Sequence, residues 1–240
     1  RGLNFADKII AVSNMTKQKI VEYYGIPPEK ITVVHNGVDE ADWRKDLRHL
    51  LGHFKEMNKK IVLYAGRITI QKGPEYFIRA AKKVLEYYPD VVFVMAGSGD
   101  MEYQVMTEAA YLGISDKIIF TGFLRGDELT ALYQAADLYV MPSVSEPFGI
   151  IPLETALNGT PVLISKQCGV SEVLTHALKT DFWDIEDMAD KIISVLKHGS
   201  LKETLRDNVG LEASKITWTV SARKCINLYK QILSERQLAV

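Results

Sequence analysis

Two hydrophobic patterns alternate along the chain, and each predicts a different element of secondary structure. Short runs that are apolar throughout, such as "IVLYA", "VVFVMA" and "LYVM", predict buried strands. Longer segments between them, such as "PEYFIRAAKKVLEYY" and "GDELTALYQAA", have the spacing of amphipathic helices. Strands that alternate with helices are typical of βαβ units, so we predict an α/β fold with a parallel sheet covered on both faces.

The alternation extends over most of the chain and predicts a doubly wound, Rossmann-like domain over residues 44–216. Connections between parallel strands are nearly always right-handed, which leaves few other topologies. Before this domain, "KIIAVS" and "KITVV" predict two strands that flank a helix in "NMTKQKIVEYY". Ser13 or Asn14 is expected to cap this helix, and Gly25 to end it.

The two ends of the chain are predicted to lie outside the Rossmann-like domain. The sequence has no initiator methionine and begins almost inside a predicted strand, so we expect a fragment of a longer protein. Residues 1–43 would be the end of a preceding domain and part of a linker, since residues 39–59 are charged and aperiodic. Residues 217–240 have helical periodicity and predict a final helix.

Net charge, the length of apolar runs and the number of cysteines indicate which partners and which compartment to expect. The net charge is −1 at pH 7, which gives no reason to expect nucleic acid as a partner. No apolar run approaches the ~20 residues of a membrane span. The two cysteines, Cys168 and Cys225, are far apart, which favours the cytoplasm, with or without peripheral membrane attachment, over a disulfide framework or a zinc site.

No nucleophilic triad and no bound metal is indicated by the sequence. No Asp-x-Asp pair follows a predicted strand, so a metal-bridged diphosphate is not expected. We therefore expect neither a metal nor a cofactor. The histidines are isolated from one another and are interpreted as surface or structural residues: His35, His49, His53, His176 and His198.

A basic loop follows the first strand of the Rossmann-like domain, in "AGRITIQKG". Gly66 ends the strand, and Arg67 and Lys72 lie on a short loop that Gly73 closes. In doubly wound folds, ligands bind beyond the carboxyl ends of the strands. Two cations there suit a diphosphate, since Arg grips phosphate oxygens in a planar fork and Lys acts as a point charge. The alternative is a solvated basic pair on a turn.

A second glycine-containing turn, "MAGSGD", follows the next strand. Gly97 and Gly99 supply two positions of a dinucleotide fingerprint, but Glu102 occupies the third. The simplest interpretation is a tight strand-to-helix turn. Its backbone, at Gly97 in particular, would still line a ligand crevice.

The stretch "SEPFGIIPLE" combines two acids with the predicted start of a buried helix. Pro152 suits a first helical turn, and the free N–H groups near Gly149 and Ile150 would face an anion. Glu146 and Glu154 would accept hydrogen bonds from the hydroxyls of a group attached to that anion. The alternative is that Glu146 is a loop residue and Glu154 only favours the helix N-terminus.

These segments, in this order, resemble the retaining glycosyltransferases of family 4 and the related bacterial glycogen and starch synthases. The resemblance is carried by "GRITIQKG", "AGSGD", "IIFTGFL", "LYQAADLYVMPSVSEPFGIIPLETALNGTPVLIS" and "GVSEVL". It covers most of residues 5–236, and the spacing of Glu146 and Glu154 is similar to the paired-glutamate motif of that family. It implies the C-terminal, nucleotide-sugar-binding half of a two-domain GT-B fold, with residues before 40 ending the acceptor domain.

The resemblance also implies roles for individual residues. Arg67 and Lys72 would hold the donor diphosphate, Glu154 the ribose and Glu146 the donor sugar. Backbone groups at Phe148, Gly149 and Ile150 would contact the sugar and phosphate, and the backbone at Leu124 the base. Two features depart from the family pattern. Cys168 stands where a glycine is usual, which implies a different sugar-side loop. The segment "HALKTDFWD" replaces the usual Asn-Gly turn and has no interpretation from the sequence.

The functional prediction is transfer of a hexosyl unit, glucosyl in particular, from a nucleotide-diphospho-sugar to an acceptor hydroxyl with retention. The donor would be an ADP-, UDP- or GDP-hexose, and the acceptor a saccharide or another hydroxyl compound. The missing N-terminal domain would help to bind that acceptor, so the fragment alone is expected to be inactive. Two alternatives stay open: a sugar-nucleotide epimerase of the same fold, and a non-catalytic nucleotide-sugar-binding module.

Overall fold

The structure is a computed structural model that describes residues 2–39 and 59–238. The predicted linker lies almost wholly outside the described residues, as do His49, His53 and the predicted domain boundary at residues 43 and 44.

The first part of the chain forms a small βαβ unit, as predicted. After a short helix α1 (Gly2–Phe5), strand β1 (Ile9–Ala11) and strand β2 (Ile31–Val33) pair in parallel across helix α2 (Asn14–Tyr24). Ser13 is the N-cap, since its side chain accepts a hydrogen bond from the Thr16 N–H. Gly25 ends the helix in a left-handed conformation. Buried apolar side chains hold the unit together: Ile9, Ala11, Ile26 and Ile31.

The larger part of the chain is built on a six-stranded sheet in which every pair of neighbouring strands is parallel. This confirms the predicted α/β class. The order across the sheet is β5-β4-β3-β6-β7-β8. The strands are β3 (Lys60–Ala65), β4 (Val91–Ala96), β5 (Ile118–Gly122), β6 (Leu138–Met141), β7 (Val162–Ser165) and β8 (Leu178–Thr180).

Helices cover both faces of this sheet. Their bounds are α3 (Pro74–Tyr87), α4 (Glu102–Tyr111), α5 (Asp127–Ala135), α6 (Ile151–Leu157), α7 (Ile185–Lys197), α8 (Gly199–Ala213) and α9 (Trp218–Leu238). Successive side chains of β3 enter different cores: Val62 and Tyr64 pack in the core shared with α3, α4 and α7. Leu63 packs in the core shared with α5, α6 and α8. Burial on both faces explains why the strands are apolar throughout.

The strand order reverses between β3 and β6. From β3 the chain proceeds outward through β4 to β5, and from β6 it proceeds in the other direction through β7 to β8. The helix that follows β3 lies on one face and the helix that follows β6 on the other. A crevice opens at such a reversal, beyond the carboxyl ends of the two strands.

In two segments the secondary structure differs from what the hydrophobic pattern predicts. "HALKTDFWD", which the sequence left without an interpretation, contains edge strand β8, and its three-residue length is too short for a hydrophobic period. In "GVSEVLTH", which has the apolar spacing of a short helix, the structure contains only a four-residue 3₁₀ turn, Gly169–Glu172.

The final helix α9 joins the two parts of the molecule. Just before it, Thr217 forms a parallel bridge with Val38. Within it, Ser221 Oγ donates to the His35 carbonyl at 2.6 Å, and Arg236 pairs with Asp7 at 2.7 Å. Over residues 2–39 and 59–238, no helix combines the length and apolarity that a membrane crossing requires.

The turns after β3 and β4 touch through two glycines. Gly97 has φ +140°, and its N–H donates to the Gly122 carbonyl at 2.8 Å. A Cβ at Gly97 would collide with the carbonyl oxygen of Gly66. The tight turn expected of "MAGSGD" is therefore required by the close approach of two backbones.

We expect Gly97→Ala to lower the free energy of unfolding by about 3 kcal/mol, because it adds a steric collision to an unfavourable φ. The matched control is Gly113→Ala, where φ is +69° but no atom lies within 4 Å of the added Cβ. It should cost about 1 kcal/mol. Urea unfolding of both variants measures the difference, and equal losses would contradict the role of the Gly66–Gly97 contact.

Candidate functional site

The loop after β3 is fixed by buried tyrosines on neighbouring strands. Tyr64 Oη donates to the Arg67 carbonyl at 2.8 Å, and Tyr139 Oη donates to the Ala65 carbonyl at 3.2 Å. Burial raises the pKa of both phenols, so they act as neutral donors. The loop ends at Gly73, whose φ of +61° a side chain would strain. Arg67 is thus presented from a rigid backbone.

Two hydrogen bonds tie this loop to the one after β6. The Val144 N–H donates to the Gln71 carbonyl at 3.0 Å. Gln71 Nε2 in turn donates to the Ser145 carbonyl at 2.8 Å. The basic loop and the "SEPFG" loop are therefore held side by side at the strand reversal.

Lys72 and Glu146 form an ion pair between these two loops. Their side chains are only 17% and 13% exposed, so water screens the pair weakly. The resemblance gave these residues separate contacts with the donor, but here each is the other's partner. Arg67, by contrast, is exposed and makes no ion pair with any residue in the described part of the chain.

A cavity of about 220 Å³ lies on the β6 side of this ion pair. It is lined by five of the predicted site residues: Lys72, Glu146, Phe148, Gly149 and Ile150. Ser143 also lines it, and the buried Ser143 Oγ has no hydrogen-bond partner among the described residues. An unpaired buried hydroxyl is costly, which indicates a polar occupant.

A second cavity of about 480 Å³ lies on the β3 and β4 side. It is lined by five predicted site residues: Gly66, Arg67, Lys72, Gly97 and Leu124. Apolar side chains also line it: Phe123, Leu124 and Leu129. The cavity therefore combines cationic and hydrophobic side chains.

The two cavities adjoin, since Ala65, Lys72 and Ile151 line both of them. Arg67 lines the larger cavity and Gly149 the smaller one. Lys72 lies between them and can reach a ligand that extends through both.

Glu154 lines neither cavity. It contacts Tyr133, which lines the larger one. Tyr133 Oη donates to Glu154 Oε2 at 3.2 Å. Burial raises the pKa of the Glu154 carboxyl, and Tyr133 partly offsets this by stabilising the charged form. Oε1 accepts no hydrogen bond from the described residues, so it is free for a ligand hydroxyl.

The start of α6 exposes several backbone donors. Over the described residues, the N–H groups of Gly149, Ile150 and Ile151 donate to no backbone carbonyl. Pro152 lies in the first turn, as predicted. Because α6 has only seven residues, any attraction for an anion here would come from these N–H groups rather than from a long helix dipole.

A carboxylate that the sequence analysis missed, Glu172, joins the first βαβ unit to the 3₁₀ turn Gly169–Glu172. It accepts hydrogen bonds from the N–H groups of Asn14 and Met15 at 2.8 and 2.9 Å, at the start of α2. It also faces His35 Nε2 at 3.1 Å. Burial opposes ionisation of Glu172, but these hydrogen bonds prevail and lower its pKa.

The "SEPFG" loop contacts the same region. Ser13 Oγ donates to the Pro147 carbonyl at 2.7 Å, and the His35 ring lies 5.7 Å from the Phe148 ring. On its other side the loop pairs with the 3₁₀ turn, where the Val170 N–H donates to the Phe148 carbonyl at 2.8 Å. Only helix capping at Ser13 was readable from the sequence, since the partners are far apart along the chain.

Cys168, the departure from the expected glycine, fits without strain. Its φ of −117° is extended, so the position does not require glycine. The thiol is buried, which raises its pKa to about 12, and it lies 2.9 Å from Ser165 Oγ. A thiol with this pKa is not a nucleophile at neutral pH. No cluster of three or more His, Cys, Asp or Glu suitable for a metal occurs in the described ranges.

Two segments of the chain match known protein families. Residues 1–42 match the family described as Glycosyltransferase Family 4. Residues 51–211, more than half of the chain, match the family described as Glycosyl transferases group 1. The chain belongs to the group 1 glycosyltransferases. The finer likeness to glycogen and starch synthases stays a prediction.

Curated relatives of this glycosyltransferase include proteins from archaea and bacteria. It is 33% identical to an uncharacterized glycosyltransferase of Methanocaldococcus jannaschii over 93% of the chain and 60% of that protein. It is 30% identical to a D-inositol 3-phosphate glycosyltransferase of Acidothermus cellulolyticus over 98% of the chain and 55% of that protein. The chain thus spans less than two thirds of either relative.

Solved structures show the same fold. A sucrose-phosphate synthase of Thermosynechococcus elongatus superposes with a TM-score of 0.83 at 22% identity, over 97% of this chain and 60% of that one. Anabaena HepE, solved with UDP-glucose, superposes with a TM-score of 0.83 at 24% identity, over 95% and 65%. The glycosyltransferase therefore has the fold of the C-terminal portion of GT-B enzymes.

We expect Glu172→Gln to lower the free energy of unfolding by about 1–3 kcal/mol at neutral pH, because the carboxylate accepts hydrogen bonds from two helix N–H groups. The folded-state pKa is below its ordinary value of 4.5, so this stabilisation is present above that value. It is lost as pH falls through the folded-state pKa.

The measurement is urea unfolding of wild type and variant between neutral pH and about pH 3.5. The gap between the two proteins should close as the pH falls. Glu22→Gln, on the exposed side of the same helix, is the control and should change little at any pH. A gap that persists unchanged at low pH would show that the carboxylate charge is not responsible.

Proposed function

We propose that this chain binds a nucleotide-diphospho-sugar and supplies the donor site for transfer of a hexosyl unit, with retention, to an acceptor hydroxyl. One observation carries the proposal: two adjoining cavities share Lys72, one with Arg67 and an apolar wall, the other with Glu146 and free backbone N–H groups. Membership of the group 1 glycosyltransferases supports it independently.

The nucleoside would occupy the larger cavity and the hexose the smaller one. Phe123, which is 73% exposed, offers a ring on which a base stacks, beside the Leu124 backbone. The diphosphate would lie at Lys72 and Arg67, between the two cavities. Glu154 Oε1 would accept a hydrogen bond from a ribose hydroxyl, with Tyr133 holding the carboxylate in place.

The chemistry that this arrangement favours is stabilisation of a leaving diphosphate. As the bond from the anomeric carbon to the phosphate oxygen breaks, Arg67, Lys72 and the N–H groups at Gly149 and Ile150 neutralise the charge on the phosphate. The acceptor oxygen bonds to the same face of the sugar, and its proton passes to the departing phosphate oxygen. Glu146 orients the sugar and favours the positive charge that develops on it.

A solved structural neighbour supports a choice of donor. Anabaena HepE was solved with UDP-glucose, which supports a glucosyl donor and a uridine base, and ADP- and GDP-hexoses complete the set to be tested. Since the chain spans 55–60% of its two curated relatives, we propose that a further domain helps to bind a saccharide or other hydroxyl acceptor. We place the reaction in the cytoplasm.

The experiment is a calorimetric titration of the chain with UDP-, ADP- and GDP-hexoses, in wild type and Arg67→Gln. At least one donor should bind wild type, and roughly tenfold to hundredfold more weakly to the variant, because a charge-assisted hydrogen bond to phosphate is lost. The Arg67 side chain has no hydrogen-bond or ion-pair partner in the described structure, so the melting temperature should stay unchanged. The control is Arg223→Gln, an exposed position on α9 that lines neither cavity.

Binding of none of the nucleotide sugars to wild type would overturn the proposal. A further incubation with donor and a saccharide acceptor separates the alternative activities. In this incubation the chain is joined to the further domain that we propose for the acceptor. A transferred sugar then supports the transferase, an isomerised nucleotide sugar would instead indicate an epimerase, and binding without either product would indicate a binding module.

The proposed base platform has its own test. Phe123→Ala should weaken nucleoside diphosphate binding by roughly tenfold, because stacking on an aromatic ring is lost. It should leave the binding of inorganic pyrophosphate unchanged. Tyr111→Ala removes an even more exposed ring, at 90%, that lines neither cavity, and should affect neither ligand. If Phe123→Ala binds the nucleotide as tightly as wild type, the base lies elsewhere.

A further inference from the structure

The ion pair between Lys72 and Glu146 has a consequence for which ligands the site accepts. Lys72 lines both cavities, whereas Glu146 lines only the smaller one. In the unliganded protein the cation that lies between the cavities is thus already neutralised by a carboxylate. Any phosphate that approaches Lys72 must compete with that carboxylate.

We propose that Glu146 makes the site discriminate a nucleoside diphosphate sugar from a free nucleoside diphosphate. The inference rests on the proposed function and extends it, since it identifies Glu146 as a residue that determines specificity between donor and product.

The discrimination follows from the charge and hydroxyls of the two ligands. A sugar diphosphate is esterified at its terminal phosphate, and its sugar hydroxyls donate hydrogen bonds to the Glu146 carboxylate in place of Lys72. A free diphosphate has an additional ionisable oxygen, which is largely charged at neutral pH. It brings no sugar hydroxyls to the smaller cavity. The Glu146 carboxylate and the terminal phosphate are then two anions that Lys72 alone must neutralise.

The Glu146 side chain has little room to move away from the phosphate. Its N–H donates to the Gln167 carbonyl at 3.1 Å, and its carbonyl accepts from the Gly169 N–H at 3.0 Å. A Cβ at Gly149 would lie 3.2 Å from Glu146 Cγ, so the side chain is also confined by the start of α6. With 13% exposure, the carboxylate has little water to replace Lys72.

The smaller cavity independently indicates a ligand with hydroxyls. Ser143 lines this cavity, and its buried Oγ has no hydrogen-bond partner in the described structure. A sugar hydroxyl would satisfy Ser143 and Glu146 together, whereas a terminal phosphate would satisfy only the Ser143 donor. The polar lining of the cavity therefore favours the sugar end of the donor over a phosphate.

The test compares matched ligand pairs by calorimetry: UDP with UDP-glucose, ADP with ADP-glucose and GDP with GDP-mannose. In Glu146→Gln, the free diphosphate should bind roughly tenfold or more tightly than in wild type, because a like charge is removed. The sugar nucleotide should bind no more tightly. The ratio of the two dissociation constants therefore shifts toward the free diphosphate.

Two control variants test whether the charge at position 146 is responsible for the change in this ratio. Glu146→Asp retains the charge and should keep a ratio close to wild type, even if it weakens both ligands. Glu154→Gln removes a carboxylate from the nucleoside end and should affect both ligands equally, since Glu154 contacts Tyr133 and not Lys72.

An unchanged ratio in Glu146→Gln, with wild type binding at least one pair, would overturn this inference and leave the proposed function standing. The same holds if Glu146→Asp shifts the ratio as far as Glu146→Gln does. Failure of wild type to bind any of the six ligands would overturn the proposed function, and this inference with it.

Discussion

Strands β3 and β6 are neighbours in the sheet, but the helices that follow them pack on opposite faces. The loops that leave these strands, 66–73 and 142–150, therefore face each other with no helix between them. All the strands are parallel, so both loops emerge at the same edge of the sheet. The crevice, the two cavities and the contact between Lys72 and Glu146 all depend on this reversal of strand order.

The balance of charge in the crevice explains how it stays stable when empty. A poorly exposed cation without a partner would be costly, and Glu146 removes that cost for Lys72. Arg67 needs no such partner because water reaches it. The proposed binding of a diphosphate at Lys72 would be an exchange of one anion for another, which adds less free energy than a new contact. The hydroxyls of the proposed sugar, in place of Lys72 at Glu146, would then supply part of the difference.

The sequence predicted features that depend on neighbouring residues and missed those that depend on strand order. Runs that are apolar throughout identified the core strands. Arg67 and Lys72 could be placed on one loop because a strand and a glycine enclose them. The ion pair joins residues 74 positions apart, and no periodicity specifies which strands are neighbours. Glu172 and Met15 are 157 positions apart. Phe123 was missed because exposure of an aromatic ring after a strand leaves no local pattern.

The "SEPFG" loop connects the proposed donor site to the first βαβ unit, which gives the site a second constraint. Ser13 donates to Pro147, His35 packs against Phe148, and Glu172 accepts from the start of α2. A displacement of α2 would break the bond to Pro147 and leave the Glu172 carboxylate without its helix donors. The loop conformation and the position of the unit are therefore coupled. Because such coupling is reciprocal, a ligand that favours one arrangement of the loop stabilises the matching position of the unit by the same free energy.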